Sequence, residues 1–290
     1  MLLPFAKYTA LGNSFVVLDR VFSGGRLSKF AGLARRICNA TEGIGADGLL
    51  IISGAKSRYR VDIYNADGSW AEKSGNGVRI AAMHMHNRGL VSGGPISLDT
   101  GSGPSAVTFH RGDKRRRLIS ATLGTPVFET SRVPVDVSEK YFINQRIKAG
   151  GRSYLASAVS IGNPHLVLFC DDFEFDWPAI GAELECHRLF PRRINVGFVV
   201  VRDKMAIEVR DWERGVGPTR SSGTGGAAAV VISVVQGLTA RAVTVHTMAG
   251  KLRVGWDSRS DHVTIAGPVA FICDGTYDDR RHTGPDFPLA

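Results

Sequence analysis

The tightest constraint on the fold is that one pattern is written twice along the chain. Ser74-Gly75-Asn76-Gly77 opens an apolar run that closes on Gly89-Leu90. Ser222-Gly223-Thr224-Gly225 opens a second that closes on Gly237-Leu238, with fifteen positions from serine to closing glycine in both. Nine positions before each serine stands a hydrogen-bonding residue, Asn65 in one copy and Glu213 in the other. Sliding the chain by about 150 positions extends the match: Leu11-Gly12-Asn13 falls on Ile161-Gly162-Asn163, Gly48–Ile52 on Gly197–Val201, Val61–Asn65 on Val209–Glu213, and Ile96–Thr100 on Val243–Thr247. Matched segments in one order predict two similar halves, each of ordinary domain size. We expect an N-terminal domain over residues 1–118, completed by about 272–290, and a C-terminal domain over 119–271.

Alternating apolar residues predict strands at Phe5–Asp19, Gly48–Ser53, Arg58–Asn65, Pro95–Asp99 and Ser105–His110 in the first half. In the second half they fall at Ala156–Cys170, Val196–Arg202, Met205–Trp212, Ala242–Thr247, Leu252–Trp256 and His262–Ala266. Three- and four-residue spacing predicts amphipathic helices over Leu27–Asn39 and Trp177–His187. The two segments after the serines differ, being apolar on nearly every face. A helix of that kind must be buried on all sides, so strands are expected to wrap each one. Val230-Val231-Ile232 taken alone favours a strand, but its Ala- and Met-rich counterpart is a better helix former, and both segments are read as helices. The fold class expected is α/β (α+β), with two pseudo-symmetric domains, each a curled, mostly antiparallel sheet around a central apolar helix. Residues past Pro268 lie outside the repeat and are expected to cross back to the first domain. The tail His282–Ala290 is expected on the surface.

Composition narrows the classes. An apolar content of 43% with 22% charged residues is ordinary for a soluble globular protein. The longest apolar stretch, Ala227–Ile232, is far too short to span a bilayer, and no secretory signal is visible in the opening residues. Four scattered cysteines without a Cys-x-x-Cys pair argue against a zinc or redox motif and fit free thiols in a reducing cytoplasm. The net charge of +9 raises the question of a nucleic-acid partner. The densest basic cluster, Arg111–Arg117, lies between two strand-like segments and lacks interleaved aromatic residues, so it reads as a solvated hairpin tip. We expect no nucleic-acid and no membrane partner.

A helix start presents unpaired backbone N–H groups and partial positive charge, and glycine beside it admits a ligand close to the backbone. Each Gly-x-Gly is therefore a candidate anion seat for a phosphate or carboxylate. Neither copy extends to a dinucleotide fingerprint or a phosphate loop.

Taken with Gly43-Ile44-Gly45-Ala46-Asp47-Gly48, Asn65-Ala66-Asp67-Gly68, Asn163-Pro164-His165, Phe190–Val196 and Glu213-Arg214-Gly215, these motifs resemble the diaminopimelate epimerases, within the cofactor-independent amino-acid racemases and epimerases. The resemblance covers essentially the whole chain. It implies two pseudo-symmetric domains with a substrate cleft between them, and inversion of an amino-acid α-carbon by two bases on opposite faces, with no metal or organic cofactor. The family's two base positions fall on Ser74 and Ser222. Positions that hold the substrate's amino and carboxylate groups fall on Asn13, Asn65, Gly75, Asn76, Asn163, Asn195, Glu213, Arg214, Gly223 and Thr224, and a site histidine falls on His165, a possible assisting group. The implied substrate is a diamino dicarboxylic acid of lysine and cell-wall synthesis, and the implied assembly is a homodimer.

One departure matters. The family carries cysteine at both base positions, and this chain carries serine. A thiol titrates near 8.5 and lower at a helix start, whereas a serine hydroxyl needs a neighbouring base. Three readings stay open: serines working with altered assistance or on another amino acid such as histidine or hydroxyproline, a disarmed epimerase, or an amino-acid binder that transforms nothing. Ser14, where the family commonly has an acidic residue, and Lys73, where Gln or Met is usual, are smaller departures.

Overall fold

The computed structural model describes residues 2–19, 30–55 and 58–279. Their contacts divide into two compact units, one of residues 1–119 and 269–290, the other of residues 120–268. In the first unit the order is β1 (Leu2–Ala10), β2 (Asn13–Asp19), α1 (Phe30–Ile37), β3 (Gly48–Ala55), β4 (Arg58–Asn65), β5 (Trp70–Ala71), α2 (Gly75–Asn87), β6 (Ile96–Thr100), β7 (Gly103–Gly112) and β8 (Arg116–Gly124). After β9 (Gln145–Ala149) the order repeats as β10 (Arg152–Ser160), β11 (Pro164–Phe169), α3 (Trp177–Glu185), β12 (Asn195–Asp203), β13 (Ala206–Glu213), β14 (Gly217–Thr219), α4 (Gly223–Val235), β15 (Ala242–Thr247), β16 (Gly250–Trp256) and β17 (Val263–Asp278), with β8 passing into the second unit at Ser120 and β17 returning to the first at Val269.

Strand pairing repeats as closely as element order. β1 pairs antiparallel with β2, β2 parallel with β3, β3 antiparallel with β4, and β4 parallel with β6, which turns back antiparallel into β7. The second unit pairs β10, β11, β12, β13, β15 and β16 in the same senses. Past Pro268, β17 pairs antiparallel with β1 in the first unit.

Each central helix is enclosed as its composition requires. In α2 every residue from Gly75 to Met85 is buried, and in α4 every residue from Gly223 to Ser233. Both begin at a serine N-cap with extended backbone, Ser74 and Ser222, and both end on the same C-terminal cap. The N–H of Leu90 reaches Met85 O and that of Leu238 reaches Ser233 O, across Gly89 (φ 72°) and Gly237 (φ 69°). The repeated serine and the repeated Gly-Leu are thus the two ends of one helix design.

Two strand readings need correction. Phe5–Asp19 is a hairpin, β1 and β2, because Leu11 (φ 53°) and Gly12 (φ 79°) form a two-residue left-handed turn between the two apolar stretches. Ala156–Cys170 is likewise β10 and β11, broken at Ile161–Asn163 with Gly162 at φ 89°. The helix read from Leu27 is described from Phe30, and its first three residues, like the tail His282–Ala290, lie outside the described residues. The basic cluster straddles the β7–β8 turn, where Asp113 Oδ1 accepts the N–H groups of Arg115 and Arg116 at 2.7 and 2.9 Å. Among the described residues no helix is long and apolar enough to cross a membrane, and all four cysteines are free thiols.

Candidate active site

Within each unit the same three strand ends lie side by side in the sheet. In the first, β2 begins at Asn13, the parallel β3 begins at Gly48, and the antiparallel β4 ends at Asn65 opposite Gly48. Asn65 donates through Nδ2 to Ser69 Oγ at 2.9 Å, closing the Asn65–Ser69 turn. Ser74 is half-buried, and its Oγ accepts the N–H of Gly77 at 3.0 Å. Gly75 and Asn76 form the first turn of α2. Arg79, fully buried one turn on, donates through Nε to Gly75 O at 3.0 Å and through Nη2 to Asn76 Oδ1. That bond commits the Asn76 oxygen and leaves its NH₂ as donor. Burial also depresses Lys73, the residue before Ser74, below the usual lysine range.

In the second unit β11 begins at Pro164, β12 begins at Asn195 opposite His165, and β13 ends at Glu213. Asn163 Nδ2 donates to Thr224 Oγ1 at 3.4 Å, and its Oδ1 lies 2.9 Å from His165 Nε2. Asn195 donates to Pro164 O at 2.7 Å and accepts the N–H of Arg214 at 3.0 Å. Glu213 Oε1 accepts from Thr219 Oγ1 at 3.1 Å. Ser222 is buried, its Oγ accepts the N–H of Gly225 at 3.2 Å, and Gly223 and Thr224 follow as the first turn of α4. The helix starts thus offer backbone N–H groups beside a serine hydroxyl already engaged as a cap, a setting suited to a carboxylate ligand. The described part of the first unit places Asn13 and Asn65 at one end of its sheet, and Ser74, Gly75 and Asn76 at the start of α2. The second gathers Asn163, His165, Asn195, Glu213, Arg214, Ser222, Gly223 and Thr224.

His165 is held neutral. Burial, with the Arg214 charge adding to it, pushes its imidazole down to about 3. Because the unfolded chain takes up a proton on this histidine below its ordinary value near 6.5 and the folded chain does not, the group's contribution is complete above that value. It is lost as pH falls toward 3. Asp211, pushed up to about 8 chiefly by burial, acts in the opposite sense, so the informative comparison is with His165→Gln. Between pH 6.5 and 5 we expect the parent chain to lose about 2 kcal/mol relative to that variant, read from urea melts at the two pH values.

Three residues that motif reading passes over support these groups: Arg79, Asp211 and Glu185. Glu185, at the end of α3, is buried and accepts from Trp212 Nε1 at 2.7 Å and from the N–H of Gly215 at 2.9 Å, with Arg193 Nη1 at 3.4 Å. It therefore anchors both sides of Glu213-Arg214. Glu185→Ala would strand these donors and is expected to cost about 3 kcal/mol, measured by urea denaturation. No sequence periodicity marks Glu185. The signal for Asp211 was available, since the repeat sets it against Ile63. Among the described residues no group of three or more His, Cys, Asp or Glu side chains converges in a way that could hold a metal ion.

Comparison with solved structures defines the class of fold. The chain superposes on a hydroxyproline epimerase from Agrobacterium vitis with a TM-score of 0.70, covering 95% of this chain and 91% of that one at 14% identity. It superposes on a PhzF-family phenazine biosynthesis protein from Bacillus anthracis with a TM-score of 0.67, covering 96% and 99% at 13% identity. At that identity the likeness speaks for the fold, the two-domain pseudo-symmetric fold of epimerases and PhzF-like proteins. Sequence comparison goes further. The family model described as diaminopimelate epimerase matches residues 5–129 and 157–272. A diaminopimelate epimerase from Desulfitobacterium hafniense is 36% identical over 277 residues, 94% of this chain and 97% of the relative. One from Pelotomaculum thermopropionicum is 37% identical over 278 residues, 95% and 99%. The chain belongs to the diaminopimelate epimerase family.

Proposed function

We propose that this chain is a cofactor-independent isomerase of diaminopimelate, interconverting the LL and meso forms, and that its two compact units are the two epimerase-type domains. In this reading one substrate α-carbon is addressed by both residue 74 and residue 222. One removes the weakly acidic C–H proton while the other delivers a proton to the opposite face, and the electron pair left by the departing C–H bond is taken up as the new C–H bond forms. Asn13, Asn65, Gly75, Asn76, Asn163, Asn195, Glu213, Arg214, Gly223 and Thr224 hold the substrate's charged groups. His165, neutral and tied to Asn163, orients that amide. The observation that carries the reading is the duplicated helix start, with a serine cap, first-turn N–H groups and an amide or carboxylate strand end in each copy. We place the enzyme in the cytoplasm as a homodimer, for which the free thiols and the family are the support.

Incubation with LL-diaminopimelate in heavy water tests the proposal. α-Deuterium incorporation is expected, slowly, because a hydroxyl is a poorer base than a thiolate. No incorporation at high enzyme concentration rejects catalysis by this chain. It then favours the second reading, an amino-acid binder, to which the engagement of both hydroxyls as helix caps points.

A further inference from the structure

The two helix starts differ in what the strand beneath them presents. In β4 and β13 alternate residues face inward, and the last of these is Ile63 in one strand and Asp211 in the other. The repeat thus puts a carboxyl where an apolar side chain would complete the core. Asp211 is 3% exposed. Its Oδ2 accepts the backbone N–H of Ser222 at 3.2 Å. Its Oδ1 lies only 2.2 Å from where a Cβ on Gly225 would stand, and Ser222 Cβ is 2.9 Å from the same point. The carboxyl therefore lies over the first turn of α4, alongside the side chain of residue 222. At the matching point beside Gly77 the nearest group from outside the helix start is Leu50 Cδ2, at 3.1 Å.

We infer that Asp211 is a positioning residue for Ser222. It fixes the cap by taking the residue's own N–H, opposes, once ionised, the build-up of negative charge on the residue-222 side chain, and makes the second half the proton-bearing side of the pair. This rests on the reading of Ser222 as a proton-transfer position. The surroundings leave Asp211 as the acid that matters there. Its strand partners are Gly197 and Thr219, and α4 contains no ionisable residue. The charges acting on it are Glu213 and Arg210 of its own strand. Burial keeps the carboxyl protonated to about 8, so it carries a proton at neutral pH. The first half has the opposite endowment, with Lys73 buried next to Ser74 where the repeat has Ser221.

The test uses thiols as reporters and needs no catalysis. S74C and S222C are prepared with and without Asp211→Asn, which retains an acceptor for the Ser222 N–H. Iodoacetamide labelling of the introduced thiol is followed by peptide mass spectrometry from neutral to alkaline pH. In S222C the labelling profile is expected to spread over two steps, as coupled acids do. D211N should collapse it to one step and raise the rate about tenfold on the alkaline side, where Asp211 would be ionised, while the S74C profile stays unchanged. D211I, copying Ile63, should act as D211N does and covers the case in which one variant folds poorly. An S222C profile indifferent to both changes, or an S74C profile shifted equally, overturns the inference. Deuterium exchange by S74C/S222C separates the two levels. Exchange without a labelling shift sinks only the role of Asp211, and a labelling shift without exchange leaves the coupling of Asp211 to residue 222 standing but sinks the epimerase reading and the proton-transfer role with it.

Discussion

Replacing Ser74 and Ser222 together with cysteine is expected to raise α-proton exchange on diaminopimelate by a factor on the order of 10²–10⁴ over the chain as it stands. Both positions are N-caps on the first turn of a buried helix, where partial positive charge stabilises a thiolate but is too weak to ionise a hydroxyl. Serine and cysteine differ little in shape, so the clamp residues around each cap should be undisturbed. The single variants should fall well short of the double. Inversion needs an acceptor on one face and a donor on the other, and one thiol equips only one face. Each single variant is therefore expected to speed exchange from one stereoisomer at most. Deuterium incorporation followed by mass spectrometry from each isomer separates these outcomes. A folded double variant no faster than the parent would remove residues 74 and 222 from the chemistry.

Gly43→Ala is expected to cost about 3 kcal/mol or more. The segment after α1 folds back onto the end of the helix: Gly43 N–H reaches Asn39 O at 3.1 Å and Ile44 N–H reaches Ile37 O at 2.8 Å. A Cβ on Gly43 would stand 2.3 Å from Arg36 O, 2.6 Å from Ile37 O and 2.8 Å from Asn39 O. These are main-chain carbonyls, which cannot swing aside as a side chain can. Relief requires moving the end of α1, whose Leu33, Ala34 and Ile37 pack into a core with Leu3, Leu18 and Tyr277. Gly77→Ala is the control. There the nearest atoms are Leu50 Cδ2 at 3.1 Å and Ser74 Cβ at 3.2 Å, a crowding that side-chain adjustment can relieve at about 1 kcal/mol. Urea denaturation of the two variants beside the parent checks the contrast, and equal midpoints would contradict it.

The central helices and most strands were legible because burial and period coincide in them. α2 and α4 are apolar on nearly every face and end on a serine and a glycine, so their limits can be read to within a residue or two. The hairpins of β1–β2 and β10–β11 are missed although Gly12-Asn13-Ser14 and Gly162-Asn163-Pro164 stand at their turns, because each loop is so short that the apolar residues on either side read as one strand. β5 and β14, of two and three residues, are too short to show a period. β8 hides its inward-facing Ile119, Ala121 and Leu123 behind the arginines at its start. At the site, the residues lining the helix starts came from motifs, whereas the residues beneath them did not. Glu185 acts through bonds to residues distant in the chain, and Arg79 through a bond to main-chain Gly75 O and one to the Asn76 side chain within a largely apolar helix, where no motif marks it. Asp211 is different, because its departure from Ile63 is written in the repeat and can be found once the inward face of β13 is known.

The claim that both halves serve one substrate is tested most directly by titration calorimetry of diaminopimelate, with Asn76→Ala disabling the seat in the first half and Asn195→Ala the one in the second. One ligand bound per chain, with affinity lost in either variant alone, is the predicted result. Two independent sites per chain, or binding that survives intact when one half is altered, would contradict it.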